Sequence, residues 1–138
     1  MPAMTVDELE VFLVAHFPGL EEGRYRIEEI DDRYLRIRLR SQHLHLRPGG
    51  TVSGPSLMAL ADVAMYLVLL AQIGPVVSAV TSSLNINFLR KPALADIVAE
   101  AHLLRLGSRL AVGAVTIFSE GEEDPVAHAT VTYSVPPR

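Results

Sequence analysis

The segment from Ser56 to Gly74 is apolar on nearly every side of a helix, and it constrains the fold more than any other part of the chain. A helix that is hydrophobic all round either crosses a membrane or lies at the centre of a globular domain. The unbroken apolar run is about 15 residues long and holds an acid, whereas a bilayer requires about 20 apolar residues. We therefore predict a buried central helix over residues 56–74, ended by Gly74-Pro75.

Composition favours one small globular domain over residues 1–138. The chain is 49% hydrophobic and 20% charged and has no cysteine, which excludes a disulfide scaffold and cysteine-ligated metal sites. The formal net charge of −4 argues against a dedicated nucleic-acid-binding protein. The N-terminus has no basic region followed by an apolar core and a small-residue cleavage site, so we expect no signal peptide and a cytoplasmic location.

Before the central helix, the sequence predicts one helix and two strands. Residues 1–20 hold an amphipathic helix, because Thr5 and Glu8 form a capping-box pattern and apolar residues recur behind them at helical spacing. Residues 24–40 alternate between apolar and polar side chains on both sides of a turn at Asp31-Asp32, which is typical of strands with one buried face.

After the central helix, four strand-like runs are separated by turn signals, at residues 80–89, 97–106, 110–119 and 126–135. Short connections favour antiparallel neighbours, so these runs predict a four-strand meander. An antiparallel sheet wrapped around one long helix is the hotdog fold of the α+β class. We predict that fold, since it explains a helix without a polar face.

Asp62 is the only formally charged residue between positions 48 and 89. A carboxylate among apolar residues is costly unless it is paired, hydrogen-bonded or exposed in a cleft. Its helical neighbours at three and four residues are Met58, Ala59, Met65 and Tyr66, so its own helix offers no cation. Two interpretations stay open: a structural acid that accepts hydrogen bonds from strand amides or Tyr66, and a catalytic acid.

The sequence Ser53-Gly54-Pro55 opens the central helix, with a proline where a missing N–H does no harm. Free N–H groups and the positive end of the helix dipole suit an oxygen that gains negative charge, as in an oxyanion hole. Ser53 is either a simple N-cap or a catalytic hydroxyl. Gly54 and Asp62 are separated by roughly 12 Å of helix, so they reach one carbonyl only from two chains related by a two-fold axis.

The run from Arg47 to Asp62 reads RPGGTVSGPSLMALAD. It resembles the signature of hotdog-fold acyl-CoA thioesterases of the phenylacetate-pathway (PaaI) type, in the 4-hydroxybenzoyl-CoA thioesterase superfamily. Those enzymes carry Asn, two residues, Gly-Thr-hydrophobic-His-Gly-Gly, and an Asp nine residues after the His. The resemblance continues through residues 84–92 and 106–109 to 127–130, and it covers about residues 40–135.

This resemblance implies roles for individual residues. Asp62 matches the catalytic acid, which acts as nucleophile or as base on water, and Gly54 matches the glycine whose N–H polarises the thioester carbonyl. Thr81, or Ser82 given a one-residue ambiguity, falls near the Ser or Thr that helps to place the attacking water. Three positions depart from the pattern: Ser53 replaces His, Arg47 replaces Asn and Pro55 replaces the second Gly, and we still predict contacts with the substrate from the last two.

Arg90 and Lys91 lie where the family's strand leaves the sheet beside bound coenzyme A, so they are predicted to meet its phosphates. The alternative is that both residues are solvated charges at a strand end, with no role in binding. Met58 and its apolar neighbours on the helix are predicted to form an adaptable pocket wall for the acyl group.

The sequence thus predicts an acyl-CoA thioesterase that acts on a small or medium acyl-CoA or aryl-CoA at the interface of a homodimer or homotetramer. No metal or redox cofactor is expected, and coenzyme A enters as part of the substrate. The alternatives are a non-catalytic dimer that binds acyl-CoA or lipid, and a purely structural oligomerisation domain. Asp62 favours catalysis, because a binding protein would gain stability from Ala or Leu there. A hotdog hydratase would need a His a few residues further on, where Met65 and Tyr66 stand.

Two other patterns are weaker. His43 and His45 share one face of an extended segment, but no acid at suitable spacing accompanies them as a third metal ligand. Arg36, Arg38 and Arg40 alternate with apolar residues, as a ligand-binding stripe or as a charged outer face of the sheet. We favour the charged outer face and expect no metal site.

Overall fold

The computed structural model describes residues 2–16, 24–40, 46–47 and 51–137. The elements are α1 (Val6–His16), β1 (Tyr25–Asp31), β2 (Tyr34–Leu39), β3 (Leu46–Arg47), β4 (Thr51–Val52), α2 (Gly54–Ile73), β5 (Val80–Phe88), β6 (Ile97–Leu106), β7 (Leu110–Ser119) and β8 (Ala127–Ser134). The two-residue strands β3 and β4 pair with each other in front of α2 and were not predicted. The other strands lie where alternation placed them.

Six strands form one antiparallel sheet in the order β1-β2-β6-β7-β8-β5. The long helix α2 packs against one face of this sheet, chiefly against β6 and β7. Its apolar side chains fill the core together with the inward residues of the strands, such as Ile37, Ala99 and Val115, which are fully buried. This arrangement confirms the predicted α+β hotdog fold.

The predicted four-strand meander is wrong at its first strand. Only β6, β7 and β8 follow one another as neighbours, whereas β5 pairs with β8 at the far edge and β6 pairs with β2. Three strand spacings, roughly 14 Å, separate β5 from β6. The eight residues 89–96 between them can extend to about 26 Å, so a short connection crosses the end of the sheet and does not force pairing.

Local signals set both ends of α2. Ser53 is the N-cap in extended conformation, and its hydroxyl accepts a hydrogen bond from the Ser56 N–H, while proline occupies the first turn. Gly74 ends the helix at φ +99°, a conformation that favours glycine, and its N–H donates to the Leu70 carbonyl at 2.8 Å. The helix therefore begins two residues before the predicted start at residue 56.

The side chains of α2 are not buried on every side, which corrects the sequence prediction. Its C-terminal half is enclosed by the sheet, by α1 and by the N-terminal segment, where the Ala3 and Met4 N–H groups donate to the Ala71 carbonyl. In its N-terminal half, Met58 is 42% exposed and Ala59 is also exposed. The sheet covers only one side of this half, so an apolar strip stays open beside the edge strand β5.

Helix α2 has the length and composition of a membrane span, with 20 residues and a mean hydropathy of 1.9. It is the single such helix among the described residues, and 61% of its most apolar 18-residue stretch is buried inside the domain. This burial is that of a core helix.

The arginines on the outer face of β2 are paired with acids. Arg38 contacts Glu28 at 2.7 Å, Glu120 at 2.9 Å and Asp96 at 3.1 Å, and Arg36 contacts Glu28 at 3.2 Å. Because the guanidinium groups of Arg36 and Arg38 already have carboxylate partners, these two residues favour the charged outer face over a ligand-binding stripe.

Gly113 marks the closest approach of β7 to α2. A Cβ atom at this position would overlap the Met65 sulfur and lie 3.0 Å from the His102 carbonyl oxygen. We expect Gly113→Ala to lower the free energy of unfolding by about 1–3 kcal/mol, because overpacking displaces neighbours in a dense core. Urea titration will measure this change in the free energy of unfolding, with the outward-facing Ala114→Val as control. Unchanged stability would show that Met65 moves aside freely.

Candidate active site

Asp62 lies in the third turn of α2, where its carboxylate meets hydroxyl groups from two strands. The Thr81 hydroxyl on β5 donates to Asp62 Oδ1 at 2.6 Å, and the Tyr133 hydroxyl on β8 donates to the same oxygen at 2.8 Å. Thr81 and Tyr133 are register partners on these adjacent strands, so one level of the sheet presents both donors. Within the described part of the chain, the carboxylate is thus held by hydrogen bonds and not by a cation.

The backbone is irregular next to Thr81. Thr81 pairs with Tyr133 and Ser83 pairs with Thr132, which leaves Ser82 as the extra residue of a β-bulge. Bulges occur frequently beside active sites because they redirect a side chain. The structure brings Thr81, and not Ser82, to Asp62. The role of Thr81 in placing the attacking water stays a prediction from the resemblance.

Oδ2, the second carboxylate oxygen of Asp62, accepts no hydrogen bond from the residues that the structure describes. The predicted donor Tyr66 bonds elsewhere: its hydroxyl donates to the Val77 carbonyl at 3.1 Å. The interpretation of Asp62 as a structural acid held by strand amides or by Tyr66 therefore does not describe its contacts. Asp62 is half-buried, with one oxygen engaged and the other free to meet a bound molecule.

A cavity of about 450 Å³ opens in front of Asp62. Its walls are mostly apolar and aromatic, and the polar groups of Asp62, Thr81 and Tyr133 converge on one side. Such a combination of apolar walls with a few placed polar groups is typical of small-molecule sites. The lining residues are His16, Asp62, Val63, Tyr66, Val77, Ala79, Val80, Thr81 and Tyr133.

Sequence reasoning missed two polar residues of this cavity, Tyr133 and His16. The pattern around Tyr133 predicts only a strand, since nothing local to residue 133 indicates an acid 71 positions away. His16 ends α1 and stacks on Phe12 with 4.2 Å between ring centres. Capping-box and periodicity patterns predict such a helix but not that its last residue reaches the cavity.

The two tyrosines of the cavity are neutral hydrogen-bond donors. Burial is the largest cause that raises the pKa of Tyr133 above its usual value, and the neighbouring Asp62 charge raises it further. Burial also raises the pKa of Tyr66. Because both phenols stay protonated at neutral pH, Tyr133 can donate a hydrogen bond to the carboxylate.

The helix start lies apart from Asp62 within one chain. Gly54 and Asp62 belong to the same continuous helix, separated by roughly 12 Å along its axis. At Gly54, an added Cβ would lie 3.4 Å from the Phe88 ring. Ser53 hydrogen-bonds Ser56, as an N-cap does. A single chain therefore does not bring Gly54 or Ser53 to the cavity of its own Asp62.

The predicted substrate-binding residues are spread along the same surface. Pro55 and Met58 are exposed on α2, and neither lines the cavity. Arg90 and Lys91 are exposed just beyond the end of β5, and the Arg90 Nε–H donates to the Pro125 carbonyl at 3.1 Å. Arg47 is in β3, and its side chain lies outside the described residues.

Arg90 and Lys91 are closer to Gly54 than to Asp62 of the same chain. Roughly 23 Å of strand separates Thr81, beside Asp62, from Phe88 at the end of β5. Phe88 precedes Arg90 by two residues and packs on Gly54. The helix start and the two cations therefore form one end of this surface, and Asp62 with its hydroxyl partners forms the other.

Metal binding has no further support in the described part of the chain, where no group of three or more His, Asp or Glu could hold an ion. His43 and His45, the residues considered for such a site, lie outside the described residues. The expectation of no metal site stays a prediction.

Residues 49–126 match the family model of the thioesterase superfamily. This match spans more than half of the chain, so the protein belongs to the thioesterase superfamily, and the resemblance carried by residues 47–62 is confirmed. A search of curated protein sequences found no match.

Solved structures support this assignment. A candidate thioesterase from Silicibacter sp. TM1040 is 44% identical with a TM-score of 0.90, over 99% of this chain and 95% of that one. A variant of the phenylacetic acid degradation protein PaaI from Thermus thermophilus is 26% identical with a TM-score of 0.71, over 91% and 99%. Zebrafish thioesterase superfamily member 2 shares the fold at 17% identity with a TM-score of 0.84, over 97% and 100%.

Proposed function

We propose that this protein is an acyl-CoA thioesterase that hydrolyses a small or medium acyl-CoA or aryl-CoA. The observation that carries the proposal is the Asp62 carboxylate at the wall of an apolar cavity, with Oδ1 held by two hydroxyls and Oδ2 open. Membership of the thioesterase superfamily supports thioester hydrolysis as the reaction.

Two chemical routes use the same carboxylate. In the first, Asp62 Oδ2 attacks the thioester carbonyl carbon, the carbon–sulfur bond breaks, and coenzyme A leaves as a thiolate that takes up a proton. Water then hydrolyses the resulting anhydride to the free acid and restores Asp62. In the second, Asp62 takes a proton from water while the water oxygen attacks the carbonyl carbon, the carbon–sulfur bond breaks, and the proton passes from Asp62 to the leaving thiolate. Neither route needs a metal or redox cofactor.

Both routes place negative charge on the thioester oxygen, and we assign its stabilisation to the Gly54 N–H of a second chain. Helix N-termini present free N–H groups and a positive dipole end to such an oxygen. The helical distance between Gly54 and Asp62 rules out one chain as the source of both. A two-fold homodimer would supply two equivalent sites, and two such dimers would make a tetramer.

The exposed apolar strip supports this homodimer. Met58 is 42% exposed on α2, and Val80 and Phe88, at the two ends of the edge strand β5, are 58% and 51% exposed. A second copy packed here would bury these side chains and cover an edge strand that is otherwise open to aggregation.

We assign binding of the coenzyme A phosphates to Arg90 and Lys91. Both are exposed near the Gly54 end of the surface, and a guanidinium group pairs well with phosphate oxygens. In the proposed dimer, this end of one chain lies beside Asp62 of the partner. The thioester and the phosphates of one substrate molecule would therefore bind at one site formed by both chains. Arg47, Pro55 and Ser53 belong to the same end. The enzyme would need an aqueous compartment that holds coenzyme A esters, and we propose the cytoplasm as that compartment.

The decisive experiment measures thiol release from a panel of short, medium and aryl acyl-CoAs, with a thiol reagent as detector. We expect turnover with at least one ester at a kcat/KM of about 10⁴ M⁻¹s⁻¹ or more. Isothermal titration with the same esters runs in parallel. Micromolar binding without turnover would overturn hydrolysis and support the non-catalytic acyl-CoA-binding dimer.

A further inference from the structure

We propose that Tyr133 is a positioning residue for Asp62, and that it makes Oδ2 the oxygen that reacts. This inference rests on the proposed thioesterase function and goes beyond it, because it assigns a task to each carboxylate oxygen. The Tyr133 hydroxyl and the Thr81 hydroxyl occupy Oδ1 together, and the carboxylate is thereby fixed in one rotamer.

The geometry separates the two oxygens of Asp62. Both donors converge on Oδ1, at 2.6 Å from Thr81 and 2.8 Å from Tyr133. The Tyr133 hydroxyl also lies 3.3 Å from the backbone carbonyl oxygen of Asp62, so it sits directly between the helix backbone and the carboxylate. A carboxylate oxygen that accepts two hydrogen bonds is less nucleophilic and less accessible than one that accepts none, so Oδ2 is the better nucleophile or base.

Tyr133 is the more rigid of the two donors. Its side chain is 4% exposed and its ring packs beside Tyr66, with 5.9 Å between ring centres and 29° between planes. Thr81 is exposed on the edge strand, so water competes for the hydrogen bond that its hydroxyl donates. A buried phenol whose pKa is raised by burial stays protonated and acts as a fixed donor throughout the reaction.

Removing the Tyr133 hydroxyl would have a larger effect than removing the Thr81 hydroxyl. Without the phenol hydroxyl, the carboxylate is held by one exposed donor and rotates between orientations, most of which do not face the thioester. Misplacement of a reacting group by about 1 Å costs up to a hundredfold in rate. Because the phenol hydroxyl is already engaged with Asp62 Oδ1, we expect its loss to leave substrate binding nearly unchanged and to lower kcat.

The test compares Tyr133→Phe with Tyr34→Phe on the best substrate of the panel. Tyr34 is a matched control, because its hydroxyl donates to the Glu100 carboxylate at 3.2 Å on the outer face of the sheet, away from the cavity. We expect Tyr133→Phe to lower kcat about 10- to 50-fold with KM within about threefold of wild type. Tyr34→Phe is expected to keep both constants.

The variant Thr81→Val supplies a second measurement. If both hydroxyls act on Oδ1, the double variant Thr81→Val/Tyr133→Phe loses a different factor in kcat from the product of the two single losses. A double variant whose loss in kcat equals the product of the two single losses would overturn the shared role. A kcat of Tyr133→Phe within about fivefold of wild type would overturn the positioning role. A wild type that hydrolyses no ester would overturn the proposed function instead.

A readout without activity covers the case in which Tyr133→Phe folds poorly. Urea unfolding of Tyr133→Phe, Asp62→Ala and the double variant forms a cycle for the contact itself. We expect Tyr133→Phe to lower the urea midpoint in the wild-type background and much less in the Asp62→Ala background. Equal shifts in the two backgrounds would show that the phenol and the carboxylate do not interact, and the inference would fail.

Discussion

Asp62→Asn is expected to lower kcat for acyl-CoA hydrolysis at least about a hundredfold. Asparagine has the same shape, and its amide oxygen can still accept the hydrogen bonds that Thr81 and Tyr133 donate to Oδ1. The neutral amide is neither a nucleophile for a thioester nor a base for water. The substitution therefore removes the chemistry while the surrounding contacts are kept.

The Asp62→Asn measurement pairs thiol release with size-exclusion chromatography and a urea titration. A fold and an oligomeric state equal to wild type, with kcat reduced and acyl-CoA still bound, would assign the loss to chemistry. Asp7→Asn, on the first turn of α1, is the matched control and should keep wild-type turnover. Undiminished turnover in Asp62→Asn would remove this residue from the mechanism.

Much of the fold could be predicted from local patterns. Period-2 alternation over residues 24–40 predicts a hairpin, and Leu35, Ile37 and Leu39 are indeed buried while the arginines between them face outwards. An apolar segment without a polar face predicts a central helix, since only the centre of a small domain can bury all sides of a helix. These patterns succeed because the period of burial is a local property of a helix or strand.

Strand order and contacts across the sheet were not predictable in the same way. The pairing of β5 with β8 places Thr81 opposite Tyr133, and no pattern within either segment carries that register. Short connections favour sequential neighbours only as a tendency, and the segment 89–96 crosses the sheet instead. The resemblance supplied Thr81, but Tyr133 became visible only once the two strands lay side by side.

The exposed half of α2 shows why a helix pattern read from one chain was incomplete. Met58 and Ala59 are apolar, so the sequence predicts burial, yet the sheet of the same chain does not cover them. Hydrophobic residues indicate that a surface is buried in the final assembly and do not say by which chain. The same strip lies between Gly54 and Asp62, where the proposed site needs a second copy.

Gly54→Pro is expected to lower kcat by about 10² to 10³, because it deletes one backbone donor to the oxyanion. We expect the position to accept proline. Gly54 is the first helical residue, whose N–H makes no bond within the helix, and Ser53 already has the extended φ −71° and ψ 148° that a residue before proline adopts. The change therefore removes the N–H and leaves the helix in place.

Gly54→Ala is the matched control for this change. It keeps the N–H and adds a Cβ at 3.4 Å from the ring of Phe88, which is half exposed and can shift. We expect its kcat within about threefold of wild type, since only the backbone donor is assigned a role. Equal activity of the Gly54→Pro and Gly54→Ala variants would contradict an oxyanion contact from this residue.

Mixed dimers test whether Gly54 and Asp62 of different chains share a site. Asp62→Asn chains carry an intact Gly54, and Gly54→Pro chains carry an intact Asp62, so a heterodimer rebuilds one complete site and one doubly defective site. Coexpression with two different tags and purification through both should yield heterodimers with about half of the wild-type turnover per dimer. Heterodimers of Asp62→Asn with the double variant Asp62→Asn/Gly54→Pro are the control and should stay inactive. Tagged heterodimers of the two single variants without recovered turnover would show that each site draws both residues from one chain, against the helical distance that separates them.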